Sequence, residues 1–309
     1  MVARLRQEPR VSDVTPTQYK ARYENLVVPL GNGGSTPVSV NRYRLRTMNY
    51  NEAAARAFLD RLDRGGVDME LRVDSGPEIF RIAHRRPDGG IRVDEMTRTG
   101  PARVEPQVLA QVRLIARYVF AGKGAPEHCQ IVLQLVDHWK LAPAGLQSYA
   151  DNAMGLDCNG FVGNYLWHVR RGRPWTDQGL NANEGPDSTI PQYFVGKNFI
   201  SRWEDMKPGR FYIFGKVNDA GAIIEGGGAS AVNAGHIAIT QPSRFRMAGA
   251  SAPSGVFVVE STVAHQPGLC ESWYSLRSMS DKFPKVFNVN RESMIAGHQQ
   301  YPFRIAEVL

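Results

Sequence analysis

The chain has 309 residues, of which 42% are hydrophobic and 22% charged, and carries a net charge of +7; this suits a sizeable core in one large or two ordinary domains. Its apolar runs are short and interrupted, which excludes a membrane-spanning helix. Met1–Arg10 holds three arginines but leads into a Pro- and Asp-containing stretch rather than the apolar centre of a secretory signal. The basic excess favours anionic partners. No compact Lys/Arg run interleaved with aromatics points to nucleic acid, and a generally basic surface is the simpler reading. The three cysteines, Cys129, Cys158 and Cys270, form no CxxC pair, which argues against a zinc site or a redox dithiol.

In chain order, residues 1–45 read as an irregular arm followed by a strand or two: Gly31, Gly33, Gly34 and Pro37 break any helix, and Val38–Val40 suits a strand. Asn51 is placed to cap a helix to about Leu62, with Ala55, Phe58, Leu59 and Leu62 on one face and Gly65–Gly66 at its end. Met69–Val73 and Glu78–His84 are expected to pair, with Pro87-Asp88-Gly89-Gly90 turning the chain into Ile91–Met96. Pro106 opens a helix lined by Val108, Leu109, Val112, Ile115, Ala116 and Val119, and a second helix follows from about Pro126 to Trp139. A boundary near residue 105 separates an N-terminal α+β region from residues 106–309.

From Leu156 the pattern becomes one helix followed by short strands. Gly155-Leu156-Asp157-Cys158-Asn159-Gly160-Phe161-Val162 puts Cys158 at the start of an amphipathic helix whose face is Phe161, Val162, Tyr165, Leu166 and Val169. Unpaired N–H groups and the partial positive charge there stabilise a thiolate, and can lower a cysteine pKa from about 8.5 to between about 3.5 and 7.5. Gly160 and Gly163 each cost such a helix roughly 1 kcal/mol against alanine, so something must approach the backbone closely. The strands are Arg210–Phe214, His236–Thr240 and Val256–Ser261, with a Gly-rich connector at Gly221–Gly235. Of seven histidines, His128, His138 and His168 fall on helices, His84 in a hairpin, His265 in a loop and His298 in a polar tail. His236 alone opens a clean apolar strand directly after the connector.

Three segments carry a resemblance. Asp157-Cys158-Asn159-Gly160-Phe161-Val162 resembles the Asp-Cys-Ser-Gly-Phe/Leu-Val signature of the NlpC-type cell-wall cysteine peptidases and the related cysteine/histidine-dependent amidohydrolases. Met206-Lys207-Pro208-Gly209-Arg210 before Phe211-Tyr212-Ile213-Phe214 resembles their Leu-x-Pro-Gly-Asp turn and strand, and Gly235-His236-Ile237-Ala238-Ile239 their Gly-His-Val-Gly/Ala-Ile. All three stand in the family's order over roughly residues 145–265. The resemblance implies an α+β fold with a papain-like core, a nucleophile helix packed on a small antiparallel sheet, beside the N-terminal α+β region. It implies Cys158 as nucleophile, His236 as base and later acid, and the Cys158 N–H in the oxyanion site. Asn159 stands for the usual serine, Arg210 for the common aspartate, and Tyr149 is nine residues ahead of Cys158 without the family's Gly-Gly pair.

The third position belongs on the strand after His236, where it would hold the imidazole tautomer. Val256, Val258 and Glu260 share one face there, and Glu260 is the choice, against an exposed strand-end charge as its bland reading; Thr262 and His265 stay open. Trp167, Trp175, Trp203, Tyr193 and Phe194 suit core and loop-anchoring duty better than a glycan groove. Asp177–Asp187 does not follow a calcium-loop pattern, so no metal and no cofactor is expected. The implied activity is cysteine amidase or endopeptidase action on peptidoglycan stem peptides. Deamidation or acyl transfer on a protein, and a catalytically inactive wall-binding domain, are the alternatives. The expected partners are peptidoglycan or a peptide, neither nucleic acid nor a membrane span, with a secretion machine or an immunity protein as further candidates. Action outside the cytoplasm or in the periplasm without a visible signal peptide, after cytoplasmic residence, completes the expectation.

Overall fold

The computed structural model describes residues 14–65, 67, 69, 71, 81–85, 91–95, 106–171, 185–225, 234–249, 253–292 and 300–308. The N-terminal elements are α1 (Pro16–Glu24), β1 (Leu26–Pro29), β2 (Ser35–Val38), α2 (Glu52–Gly65), β3 (Arg81–Arg85) and β4 (Ile91–Glu95). Helices α3 (Pro106–Phe120), α4 (Pro126–His138), α5 (Leu146–Ala153) and α6 (Cys158–Arg171) follow. Strands β5 (Tyr212–Lys216), β6 (Ile237–Met247), β7 (Pro253–Ser261), β8 (Leu269–Met279), β9 (Phe287–Arg291) and β10 (Gln300–Glu307) complete the chain.

These last six strands form a closed antiparallel barrel in the order β10-β5-β6-β7-β8-β9. This corrects the papain-like core expected above: the sheet is neither small nor open. Helix α6 does pack on β6 and β7, but the sheet continues past them and β10 pairs on both sides, Phe303 with Phe287 and Ile305 with Phe214. Closure leaves no unpaired strand edge. Side-chain alternation explains what fills it. Phe214, Ala238, Val256, Val258, Tyr274, Phe287, Val289, Phe303 and Ile305 point inward with Trp203 and Met206, while Ile213, Ile237, Ile239, Val259 and Leu269 point out to the helices.

The arm expected at residues 1–45 contains a helix instead. Thr15 Oγ1 accepts from the Gln18 N–H and Gln18 Oε1 from the Thr15 N–H, a reciprocal cap. Helix α1 then buries Tyr19 and Tyr23, with the Tyr19 ring 5.7 Å from that of Tyr165 on α6. Asn51 caps α2 as its position suggested, its Oδ1 accepting from the Ala54 N–H at 3.0 Å. Strand β3 pairs with β4; most of Met69–Val73, the start of the expected Glu78–His84 strand and the Pro87–Gly90 turn lie outside the described residues. Among those residues no helix is long and apolar enough to cross a membrane.

Candidate active site

Cys158 is the first residue of α6, and close backbone packing fixes that end of the helix. The Asp157 N–H donates to the Gly122 carbonyl at 3.0 Å, Asp157 Oδ1 accepts from the Gly160 N–H at 2.6 Å, and Asp157 Oδ2 pairs with Lys123 Nζ at 2.8 Å. Ser261 Oγ, on the outer face of β7, donates to the Leu156 carbonyl at 2.6 Å. A Cβ on Gly160 would overlap the Gly122 carbonyl, and one on Gly163 would lie 2.6 Å from Pro186 N and Cα. The two glycines are where the backbone is approached, as their helix-breaking composition suggested.

His236 immediately precedes β6, with the same inward parity as Ala238, so its ring enters the barrel mouth beside Phe303. Glu260 lies near the end of β7 and is 0% exposed, which removes the reading of an exposed strand-end charge. Its Oε2 accepts from His236 Nε2 at 2.6 Å, Tyr274 Oη at 2.7 Å and Arg291 Nη2 at 2.6 Å. An ionised carboxylate can only accept, so the ring proton belongs on Nε2 and Nδ1 keeps a lone pair. Burial opposes the charge on Glu260, but the Arg291 guanidinium, the His236 bond and the Tyr274 hydroxyl hold the carboxyl well below the usual range. Burial, then the charge of Arg291, lowers His236 despite Glu260, which favours the neutral imidazole.

The thiol departs from expectation. Burial pushes Cys158 up to about 12 and the Asp157 carboxylate adds to it, while the Ile237 N–H, the Lys123 ammonium and the Asn159 N–H act the other way. The helix start is so enclosed that desolvation outweighs the helix field, and the resting group is a thiol. The Ile237 N–H contact places the sulfur against the residue next to His236. No hydrogen bond joins Cys158 and His236 among the described residues; the thiol's side-chain neighbour is Asn159 Oδ1 at 3.9 Å.

Two adjoining cavities open here. One of about 390 Å³ lies over Cys158, lined also by Lys123, Asp157 and Asn159; a smaller one of about 50 Å³ lies by His236, Lys216, Thr262, Arg291 and Tyr301. Tyr43, Ala234 and Gly235 line both. Of the remaining candidates, Thr262 lines the smaller cavity beside His236, and the others among the described residues line neither cavity. Thr262 Oγ1 accepts from the Ala264 N–H, and His265 Nδ1 bonds the Pro267 carbonyl. His128 Nδ1 accepts from the Ala125 N–H on α4. Tyr149 is absent from both cavities, Trp203, Tyr193, Phe194 and Trp167 are buried, and Trp175 and His298 lie outside the described residues. Sequence reasoning missed Tyr43, Lys123, Tyr274 and Arg291. Recognising β8 and β9 by alternation would have offered the last two; nothing local marks Tyr43.

In comparisons with known proteins, no family model, no curated protein and no solved structure matches the chain.

Proposed function

We propose that the chain is a cysteine hydrolase of amide bonds, with Cys158 as nucleophile, His236 as base and Glu260 as the residue that orients the imidazole. The observation that carries the reading is the 2.6 Å bond from His236 Nε2 to the buried Glu260, which leaves Nδ1 as the basic ring position, on a residue whose cavity adjoins the one over Cys158 at a helix start. The Cys158 sulfur attacks the amide carbon as its proton passes to Nδ1. The imidazolium then protonates the departing amine, and water, deprotonated by the same nitrogen, hydrolyses the thioester. The Cys158 N–H is a donor for the oxyanion.

For substrate we propose bacterial peptidoglycan stem peptides, on the three ordered motifs at Cys158, Pro208-Gly209 and His236 and on the net charge of +7, which suits an anionic wall. Purified protein incubated with sacculi is expected to release stem-peptide fragments, and Cys158→Ala to release none. Undiminished cleavage by Cys158→Ala overturns the mechanism. Intact sacculi overturn the substrate, and a one-unit mass gain on a protein partner would then assign deamidation.

A further inference from the structure

Glu260 is the meeting point of three donors, one just before β6, one on β8 and one on β9, and all three bind the same oxygen, Oε2. Two of them, His236 and Tyr274, are neutral. Arg291 is the one permanent charge among them, and its side chain is 2% exposed against 0% for Glu260. A buried carboxylate needs a compensating cation. Were Arg291 absent, the group best placed to supply that charge is His236, by taking a second proton at Nδ1. A protonated Nδ1 accepts nothing, and the base is lost.

We propose that Arg291 is a positioning residue of this site: by neutralising Glu260 through Oε2 it holds His236 as the neutral base that receives the Cys158 proton only when a substrate is attacked. The proposal rests on the cysteine hydrolase reading above and adds to it the group that sets the resting protonation state. Among the described residues Lys216 is the other cation facing this cluster and also lowers His236; Cys270, Tyr43 and Tyr274 are the further titratable groups there. Lys216, on β5, is brought down to about 8 by burial and by Arg291 itself, and it lies over the Tyr301 ring on β10 at 4.2 Å. Cys270, opposite Glu260 on β8, is kept protonated by burial. Tyr43 and Tyr274 are likewise held above the usual phenol range by burial, so each stays neutral.

The test is an NMR titration of the His236 ring in the full chain, which needs no substrate, read beside the pH profile of hydrolysis. Arg291→Met is expected to raise the His236 pKa by about one unit or more, a tenfold change in its protonation equilibrium, and to move the acid limb of the activity profile up with it. Arg291→Lys, which keeps the charge, and Tyr274→Phe, which removes a neutral donor from the same oxygen, are expected to leave His236 close to its starting value. If Arg291→Met does not fold, Arg291→Gln keeps a donor for Glu260 without the charge and should show the same rise. A folded, uncharged variant in which His236 titrates as before overturns the proposal, and so does an equal shift in Tyr274→Phe. A chain that hydrolyses no amide while His236 still responds to Arg291 loses the proposed function but not the charge coupling.

Discussion

Gly160→Ala is the most informative single-methyl perturbation of helix α6. In a free helix alanine gains about 1 kcal/mol over glycine. Here the new Cβ would overlap the Gly122 carbonyl, with the carbonyl carbon at 3.0 Å and Asp157 Oδ1 at 3.2 Å, against about 3.4 Å for ordinary contact. Both neighbours are held. Gly122 sits at φ +80°, and its carbonyl takes the Asp157 N–H bond. Forcing a methyl into a filled space costs about 1–3 kcal/mol, and loosening the Asp157–Gly122 bond about 1 kcal/mol more. The net expectation is a loss of about 1–3 kcal/mol, read as a lower urea midpoint at unchanged slope. Because Asp157 and Gly160 flank Cys158, the sulfur moves with the helix end, and under the proposed function an ångström of displacement is expected to lower hydrolysis about 100-fold. Gly31→Ala, where nothing lies within 4 Å of the added carbon, is the neutral control. A Gly160→Ala chain with the wild-type midpoint and wild-type Cys158 reactivity would refute the reasoning.

Iodoacetamide should modify Cys158 before Cys129 and Cys270, since it lines the larger cleft and is the most exposed of the three, at a rate that climbs steadily with alkaline pH because the thiol lies near 12; a fast plateau at about pH 6 would reveal a resting thiolate instead. Stability should fall on acidification, and His128 supplies a measurable part. Burial lowers it from 6.5 to about 4, so between those values the unfolded chain binds the proton first, at a cost on the order of 3 kcal/mol. His128→Asn, which keeps an acceptor for the Ala125 N–H, should flatten urea midpoints measured at about pH 7 and 4.5, and an unchanged slope would count against it. Glu260 acts with the same sign: its contribution is complete above the ordinary carboxylate range and is lost as pH falls through its depressed folded value.

Local patterning settled a good deal by itself. The apolar period of Phe161, Val162, Tyr165, Leu166 and Val169 fixed α6 and hence Cys158 at its start, because helical spacing and a terminal position are properties of a short stretch. The alternation of Val256, Val258 and Glu260 put the carboxylate on one face of β7 for the same reason. The glycines at 160 and 163 announced close backbone contact, though not with what. The tertiary structure decided the rest. Barrel closure joins β10 to β5 across a long stretch of chain, a pairing no window of sequence contains, and it makes the inward face of β7 an interior. That burial turns Glu260 from a strand-end charge into the partner of Arg291, Tyr274 and His236. It also reverses the expectation for Cys158, since a helix start favours a thiolate only where the sulfur is well solvated, and burial against β6 outweighs the helix end and Lys123.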